Sequence, residues 1–180
     1  MIVTKDEMSN AAIGLIREHG YENVNIPMIC QKCGVTKGSF YHHFRSKDDL
    51  ITYWLSHKID TTVEFPADLG QSPKERFLKL LHEHALVIQS IGCDIFYHAM
   101  VADMNNQGTN LLRTAENTQK ELDLLSEAIE AGEITGEKSA RDLLGCYIMT
   151  VLGAIMEWKM AQGTTDIVEN LDNLAQLIFR

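Results

Sequence analysis

The amino-acid sequence predicts an all-α protein of about nine helices, with a three-helix N-terminal head and a larger helical body. Hydrophobic residues make up 45% of the 180 residues, enough to bury a core at this length. Only three prolines occur, and the other residues favour strong helix formers. Apolar residues recur at spacings of three and four, the period of an amphipathic helix. We divide the chain into a head at residues 1–47 and a body at residues 48–180.

The head is predicted to begin with a helix from about Thr4 to His19, which Gly20 ends because glycine readily adopts left-handed cap conformations. Asn25 is a good N-cap for a second helix. Pro27 then falls in the first turn of that helix, where its missing N–H costs little. These signals predict two helices separated by a short connection.

A second pair of helices follows a predicted turn at Gly34. The short third helix runs from about Lys37 to His43, and Phe40 and Phe44 are one turn apart on its buried side. Ser46 caps the fourth helix, whose first turn carries two acids. The end of the head is therefore placed at the start of this fourth helix.

The body is predicted to hold five more helices. The segment 72–75, Ser-Pro-Lys-Glu, is a capping box that opens the first of them, and Gly92 interrupts it. A short helix to about Met104 and a longer one ending at Gly132 follow. The penultimate helix runs from about Ser139 to Ala161, and the last helix carries apolar residues from Ile167 to Ile178.

The penultimate helix is apolar nearly all round. Its run from Leu143 to Met156 is shorter than the ~20 residues that span a bilayer, so a buried helix is expected. One face should meet the core and another a partner subunit, with Gly145 and Gly153 permitting close approach. We therefore expect a homodimer through the last two helices. The alternative is a monomer whose last helix covers that surface.

The charge distribution separates head from body. The net charge of −9 argues against nucleic-acid binding by the molecule as a whole. Residues 1–58 carry a net charge of +1, however, and residues 59–180 carry −10. The segment from Asn23 to Lys47 contains no acid, and its positive or potentially positive side chains are Lys32, Lys37, His42, His43, Arg45 and Lys47. This segment is expected to attract phosphate.

Residues 26–43 have the pattern of a helix-turn-helix. In this motif one helix is braced across the DNA backbone while the next lies in the major groove. The second helix offers hydroxyl, amine and imidazole donors, and Gly38 would let its backbone approach a phosphate. The alternative is a helical corner with a solvated polar face.

The sequence of this segment resembles the DNA-binding signature of the tetracycline-repressor (TetR) family. The resemblance rests on Gly20-Tyr21 and on residues 33–50, CGVTKGSFYHHFRSKDDL, and it covers about the first fifty residues. It implies that the helix beginning near Thr36 is the recognition helix and that Lys47 lies at a phosphate-binding helix N-terminus. Asn25 stands where family members commonly have Thr. The predicted DNA-binding residues are Asn25, Thr36, Lys37, Gly38, Ser39, Tyr41, His42, His43 and Lys47.

The cysteines and the body offer weaker signals. Cys30 and Cys33 form a C-x-x-C without a partner motif, so we interpret them as small core residues, with a thiol switch as the alternative. We find no paired nucleophile and base, and we expect no enzyme activity, cofactor or metal. An apolar ligand cavity between helices is expected instead. Its candidate residues are His84, Phe96, Met100, Tyr147 and Trp158.

Two hypotheses follow. The first is a ligand-responsive transcription regulator, expected to be a repressor that a small-molecule effector releases from a palindromic DNA operator. The second is a helical small-molecule-binding protein or enzyme whose basic N-terminal corner binds an acidic partner. The N-terminus does not resemble a signal peptide, so a cytoplasmic protein without membrane association is expected.

Overall fold

A computed structural model describes residues 3–62, 65–66, 70–105 and 115–180. Over these residues the regular structure is helical throughout, which confirms the predicted fold class. The nine helices in this part of the chain are α1 Lys5–His19, α2 Ile26–Cys33, α3 Lys37–His43, α4 Lys47–Thr62, α5 Pro73–Ile91, α6 Cys93–Asn105, α7 Ala115–Glu130, α8 Ala140–Met160 and α9 Ile167–Ile178.

The chain divides into two compact units. The head unit comprises the described residues of Met1–Lys58 and Asp94–Leu112, and the body unit those of Ile59–Cys93 and Arg113–Arg180. These limits differ from the predicted domains of 1–47 and 48–180. Most of α4 joins the head unit because it packs on α1: Trp54 donates a hydrogen bond to Asn10 (2.9 Å), and Tyr53 donates one to Asp6 (2.7 Å).

The ends of the head helices follow the local signals in the sequence. Thr4 and Glu7 form a capping box at the start of α1, and Gly20 follows α1 with a φ of 80°. The Asn25 side chain caps α2 by accepting a hydrogen bond from the Met28 N–H (3.1 Å). Gly34 adopts the left-handed conformation that ends α2. The predicted end of α1 at Gly20, the Asn25 cap and the turn at Gly34 are confirmed, whereas the capping box of Thr4 was not predicted.

The body unit is built around α5, which packs against α7 and α9, while α8 packs against α7 and α9. The predicted capping box of Ser72 and Glu75 opens α5. Phe77 of α5 meets Phe179 edge to face, with ring centroids 4.9 Å apart, and Phe179 also contacts Tyr147 of α8. These aromatic contacts tie α5 and α8 to the end of the chain within one apolar core.

The surface of α8 departs from the expectation of a buried helix. Tyr147, Val151, Ile155 and Trp158 are buried, but the other side is open: Met149 is 67% exposed and Met160 is 77% exposed. Exposed apolar or small residues recur at spacings of three and four and form one line along the helix, and the exposed charged residues Asp142 and Glu157 border this line. This α8 stripe consists of Cys146, Met149, Gly153, Met156 and Met160.

By length and composition alone, α8 could cross a membrane. The sequence had indicated otherwise, because the apolar run from Leu143 to Met156 is shorter than the whole helix. Among the described residues it is one such helix, or one of two if α5 and α6 are counted together as a single span. A core or interface helix of a soluble protein has the same composition, so one or two such helices are weak evidence for a membrane protein.

Candidate nucleic-acid interface

The predicted helix-turn-helix is formed by α2, a three-residue turn and α3. The turn is closed by backbone hydrogen bonds from Gly34 and Val35 to the end of α2, the latter to the Cys30 carbonyl (3.0 Å). Thr36 caps α3, since its hydroxyl accepts a hydrogen bond from the Ser39 N–H (3.2 Å). The cap fixes where α3 begins, and therefore which of its side chains turn inward.

Two phenylalanines hold α3 against the head. Phe40 and Phe44 are 0% and 1% exposed, and their ring centroids are 5.9 Å apart. The opposite side of α3 is open: Tyr41 is 55% exposed, and Lys37, Gly38 and His42 are exposed as well. The predicted orientation of α3 is confirmed, with a polar face towards solvent and an aromatic face in the core.

A groove of about 410 Å³ lies beside this polar face. Four of the sequence-predicted DNA-binding residues border it: Asn25, Lys37, Tyr41 and Lys47. They come from three different elements, the N-cap of α2, the recognition helix α3 and the start of α4. We call this the head groove; its full lining is Glu22, Val24, Asn25, Ile26, Pro27, Lys37, Tyr41 and Lys47.

The remaining predicted residues of α3 are placed outside that lining. Thr36 is exposed and caps the helix, Ser39 is half-buried, and His42 is exposed. His43 is half-buried and its ring lies against Phe44, with centroids 6.5 Å apart. His43 is therefore less accessible than His42, so contacts to DNA bases are expected first from Tyr41 and His42.

Lys47 has a structural role that the sequence did not reveal. Its ammonium donates hydrogen bonds to the backbone carbonyls of Tyr21 (2.6 Å) and Val24 (2.8 Å), and it lies 3.8 Å from the centroid of the Tyr21 ring. Burial lowers the pKa of this ammonium. An ammonium has three protons to donate, so one remains for a phosphate in the head groove.

Tyr21 is the functional-site residue that sequence reasoning missed. It is buried, its hydroxyl donates to Asp48, and burial together with that carboxylate raises the pKa of the phenol. Its backbone N–H donates to Asp94 of α6 (3.2 Å). Tyr21 stands in the recognised signature, but nothing local in the sequence indicates a partner 73 residues away.

The five predicted ligand-binding residues are divided between the two units. Phe96 and Met100 lie on α6 in the head unit, and both are buried. Tyr147 and Trp158 are buried in the body unit. His84, also in the body unit, is the most accessible of the five. Within each unit these side chains are core residues, and their role in ligand binding stays a prediction.

His84 has two polar neighbours in the body unit. Its Nδ1 lies 2.9 Å from the Leu80 carbonyl and therefore donates to it. Its Nε2 lies 3.9 Å from a carboxylate oxygen of Glu121, which is 0% exposed. Among the five predicted ligand-binding residues, His84 is therefore the one that lies beside a buried carboxylate.

The cysteine pair agrees with a packing role. Cys30 is buried, and its sulfur lies 3.7 Å from the Thr36 carbonyl. Burial raises the pKa of the half-buried Cys33 thiol, which disfavours the reactive thiolate. No group of three or more potential metal-ligating side chains occurs among the residues that the structure describes.

Comparisons with known proteins identify the head. Residues 10–53 match the family model of bacterial regulatory proteins of the TetR family. The Transposon Tn10 TetC protein of Escherichia coli is 45% identical over 69 residues, 37% of this chain and 35% of that protein. The HTH-type transcriptional regulator YerO of Bacillus subtilis is 29% identical over 42% of this chain and 27% of its own length. These matches concern only part of each relative.

Other matches extend over nearly the whole chain. The fatty acid metabolism regulator protein of Bacillus subtilis is 24% identical over 96% of this chain and 92% of its own. The fatty acid degradation regulator FadR of Bacillus halodurans has a TM-score of 0.65 at 20% identity, covering 97% of this chain and 94% of its own. FadR of Bacillus subtilis in complex with stearoyl-CoA has a TM-score of 0.63 at 20% identity, covering 96% of each chain. The head, with its capped α3 and open polar face, is therefore similar over residues 10–53 to the bacterial regulatory proteins of the TetR family, and the fold of the chain resembles that of the FadR regulators.

Proposed function

We propose that this chain is a ligand-responsive repressor that binds a palindromic DNA operator as a homodimer. The observation that carries the proposal is the arrangement of α3, which Phe40 and Phe44 anchor to the core while Tyr41 and His42 face solvent. A polar helix face of this kind fits the major groove, where side-chain donors read base edges. Lys37 and Lys47 beside it supply positive charge for phosphate.

The α8 stripe supports the homodimer. Large exposed apolar side chains in one line are uncommon on a monomer and mark association surfaces. The spacing of three and four residues along the stripe fits packing against a second helix, and Gly153 allows close approach. Leu177 of α9 is also 53% exposed. A two-fold axis through α8 and α9 would make the same surface serve both subunits.

A dimer is also what the head requires. Two recognition helices read half-sites one helical turn of DNA apart, about 34–36 Å, or a multiple of that distance. A ligand that changes this separation prevents both heads from docking at once. The effector is a small molecule bound by the body, and the first class to test is long-chain acyl-CoA, which one structural relative binds. Such a repressor acts in the cytoplasm.

DNA binding is tested by selecting sites from a random duplex library and then titrating the selected site against scrambled DNA at several salt concentrations. We expect a palindromic site and a binding constant that falls steeply with salt, since phosphate contacts release counterions. Binding that is equally strong to scrambled DNA, or absent, contradicts the proposal and favours the acidic-partner hypothesis.

The effector is tested by adding stearoyl-CoA to the protein–DNA complex, with free coenzyme A and free stearate as controls. Release by stearoyl-CoA alone supports an acyl-CoA-responsive repressor. Unchanged DNA binding with all three compounds excludes this effector class while leaving the DNA-binding proposal intact.

A further inference from the structure

A cluster of side chains around Tyr21 joins α6 to the edge of the head groove. Tyr21 lies between α1 and α2, where it contacts the start of α4 through its carbonyl, ring and hydroxyl. On its other side it contacts α6. The Tyr21 cluster consists of Tyr21, Glu22, Lys47, Asp48, Asp94 and His98, all within the head unit.

Two residues of α6 hold Tyr21 in place. Asp94 accepts the hydrogen bond from the Tyr21 backbone N–H (3.2 Å). His98, one turn further along, stacks on the Tyr21 ring with centroids 4.3 Å apart and planes 16° from parallel. The two also face each other, since His98 Nε2 lies 3.5 Å from an Asp94 carboxylate oxygen. Asp94 thus holds the backbone of Tyr21, and His98 holds its ring.

Tyr21 in turn fixes Lys47. The Lys47 ammonium is bound by the Tyr21 carbonyl at 2.6 Å and lies against the Tyr21 ring at 3.8 Å. A shift of Tyr21 therefore removes one of the ammonium's two carbonyl acceptors and its aromatic neighbour together. Lys47 borders the head groove beside Lys37 and Tyr41. The position of its charge in the groove depends on contacts made outside the groove.

We propose that Asp94 and His98 are positioning residues for DNA binding: they hold Tyr21, and through it they hold the Lys47 ammonium where a DNA phosphate can reach it. This inference rests on the proposed DNA-binding function. It assigns a role in DNA affinity to a helix that follows the recognition helix by about fifty residues. Neither residue belongs to the lining of the head groove.

The competing explanation is that Asp94 and His98 only stabilise the head unit. The two explanations differ in what they predict for salt dependence and for coupling to Lys47. A purely structural pair would lower the melting temperature, but the folded protein would keep the Lys47 phosphate contact. A positioning pair would lose that contact in the folded protein, so the slope of log affinity against log salt would fall by about one unit.

The experiment is a double-mutant cycle between His98→Ala and Lys47→Met, read out as operator affinity and salt slope at a temperature where every variant is folded. Lys47→Met keeps the aliphatic stem and removes the charge. We expect each single variant to weaken operator and scrambled DNA about equally, by about three- to tenfold, and to flatten the slope by about one unit. The double variant should be no weaker than Lys47→Met alone, because both changes remove the same phosphate contact.

Two further variants make the test specific. His98→Phe keeps a ring that can stack on Tyr21 and should restore most of the affinity that His98→Ala loses. His57→Ala is the matched control, since it removes another histidine stacked on a tyrosine of the head unit, Tyr53, at 6.1 Å. It should leave both affinity and slope unchanged. If His98→Ala does not fold, His98→Phe and Asp94→Ala are measured in its place, and at least Asp94→Ala must show the loss.

Three outcomes overturn the inference. The first is wild-type affinity and slope in His98→Ala and Asp94→Ala, and the second is additive loss in the double variant. The third is equal loss in His57→Ala, which would point to a general effect on the head. Salt-independent or absent DNA binding by the wild-type protein would instead overturn the proposed function, and the positioning role with it.

Discussion

The head and the body each expose one helix face, and the two faces have opposite chemistry. On α3, Phe40 and Phe44 face the core while Lys37, Tyr41 and His42 face solvent. On α8, Tyr147 and Trp158 face the core while methionines face solvent. Both helices are anchored by aromatic side chains on one side. The buried face holds each helix in place, and we expect the chemistry of the open face to select its partner.

The charge of the two regions strengthens this difference. Residues 59–180 carry a net charge of −10, which repels DNA, whereas the acid-free segment from Asn23 to Lys47 attracts it. We therefore expect phosphate to be attracted to the acid-free segment and not to residues 59–180. The α8 stripe itself contains no charged residue, although Asp142 and Glu157 border it, so the proposed association with a second copy would depend on apolar burial. Mutations that act on one face should leave the other face functional.

The largest effect is expected from removing the anchor of α3. Phe40→Ala should cost about 3–5 kcal/mol of unfolding free energy, because a fully buried aromatic ring is lost and a cavity remains. Chemical denaturation followed by circular dichroism measures this change. Tyr41→Ala is the control on the same helix, and it should cost well under half as much because Tyr41 is exposed. Equal stability losses would mean that the faces of α3 are assigned the wrong way round.

The corresponding change on α8 should separate the subunits without unfolding them. The double variant Met149→Lys, Met156→Lys replaces two methionines in each subunit, so a two-fold dimer would carry four substitutions at its interface. At about 1.5–3 kcal/mol per fully buried methionine, the dimer dissociation constant should rise more than about a hundredfold. Sedimentation velocity over a concentration series measures it. Glu130→Lys on the exposed side of α7 changes the net charge of each subunit by the same +2, since it replaces one negative charge with one positive charge, and it should leave the dimer intact. A dimer that survives both methionine changes must use another surface.

Loss of the polar face of α3 should abolish recognition while preserving structure. The double variant Tyr41→Ala, His42→Ala should melt near the wild-type temperature and stay dimeric, since both side chains are exposed. Base contacts are worth about 1–3 kcal/mol each, so selective operator binding should fall at least about tenfold. Fluorescence anisotropy with operator and scrambled DNA measures the selectivity. An early melt with intact selectivity would show that these residues pack and do not read bases.

The parts of the fold that could be predicted from sequence are those with local causes. The predicted caps at Asn25 and Ser72 depend on hydrogen bonds within three residues, and each is visible as a short pattern. The caps at Thr4 and Thr36 are of the same local kind but were not predicted. The orientation of α3 follows from two aromatic residues one turn apart. The number of helices among the described residues and the exposed polar face of α3 were therefore predicted correctly.

The parts that could not be predicted depend on partners distant in the chain. The hydrogen bond from Tyr21 to Asp94 bridges 73 residues, so nothing local indicated that α6 belongs to the head unit or that Lys47 binds backbone carbonyls. The exposed side of α8 was partly anticipated from its apolar composition, but composition alone does not say which residues remain open. The sequence also did not indicate that the predicted ligand-binding residues Phe96 and Tyr147 lie in different compact units, and their role in ligand binding stays a prediction.

The smallest expected effect is the pH dependence of the segment that follows α3. Burial would raise the pKa of the Asp49 carboxyl, but hydrogen bonds from the Arg45 backbone N–H (2.9 Å) and guanidinium (3.2 Å) outweigh it, so the pKa is lowered. A carboxyl whose folded pKa is lowered stabilises the fold above its unfolded pKa, about 3.9, and this contribution is lost as pH falls through the folded pKa. Because the Arg45 side chain is 85% exposed, solvent screening limits the contribution to about 0.5 kcal/mol.

Asp49→Asn should therefore lower the free energy of unfolding by about 0.5 kcal/mol at pH 7 and by progressively less below pH 4, until variant and wild type converge. Denaturant titrations at pH 7, 5, 4 and 3 follow the difference between the two proteins. Dimerisation through the uncharged α8 stripe should be the same in both proteins at each pH at which they are folded. A stability difference that stays constant down to pH 3 would show that Asp49 acts through packing and not through its charge.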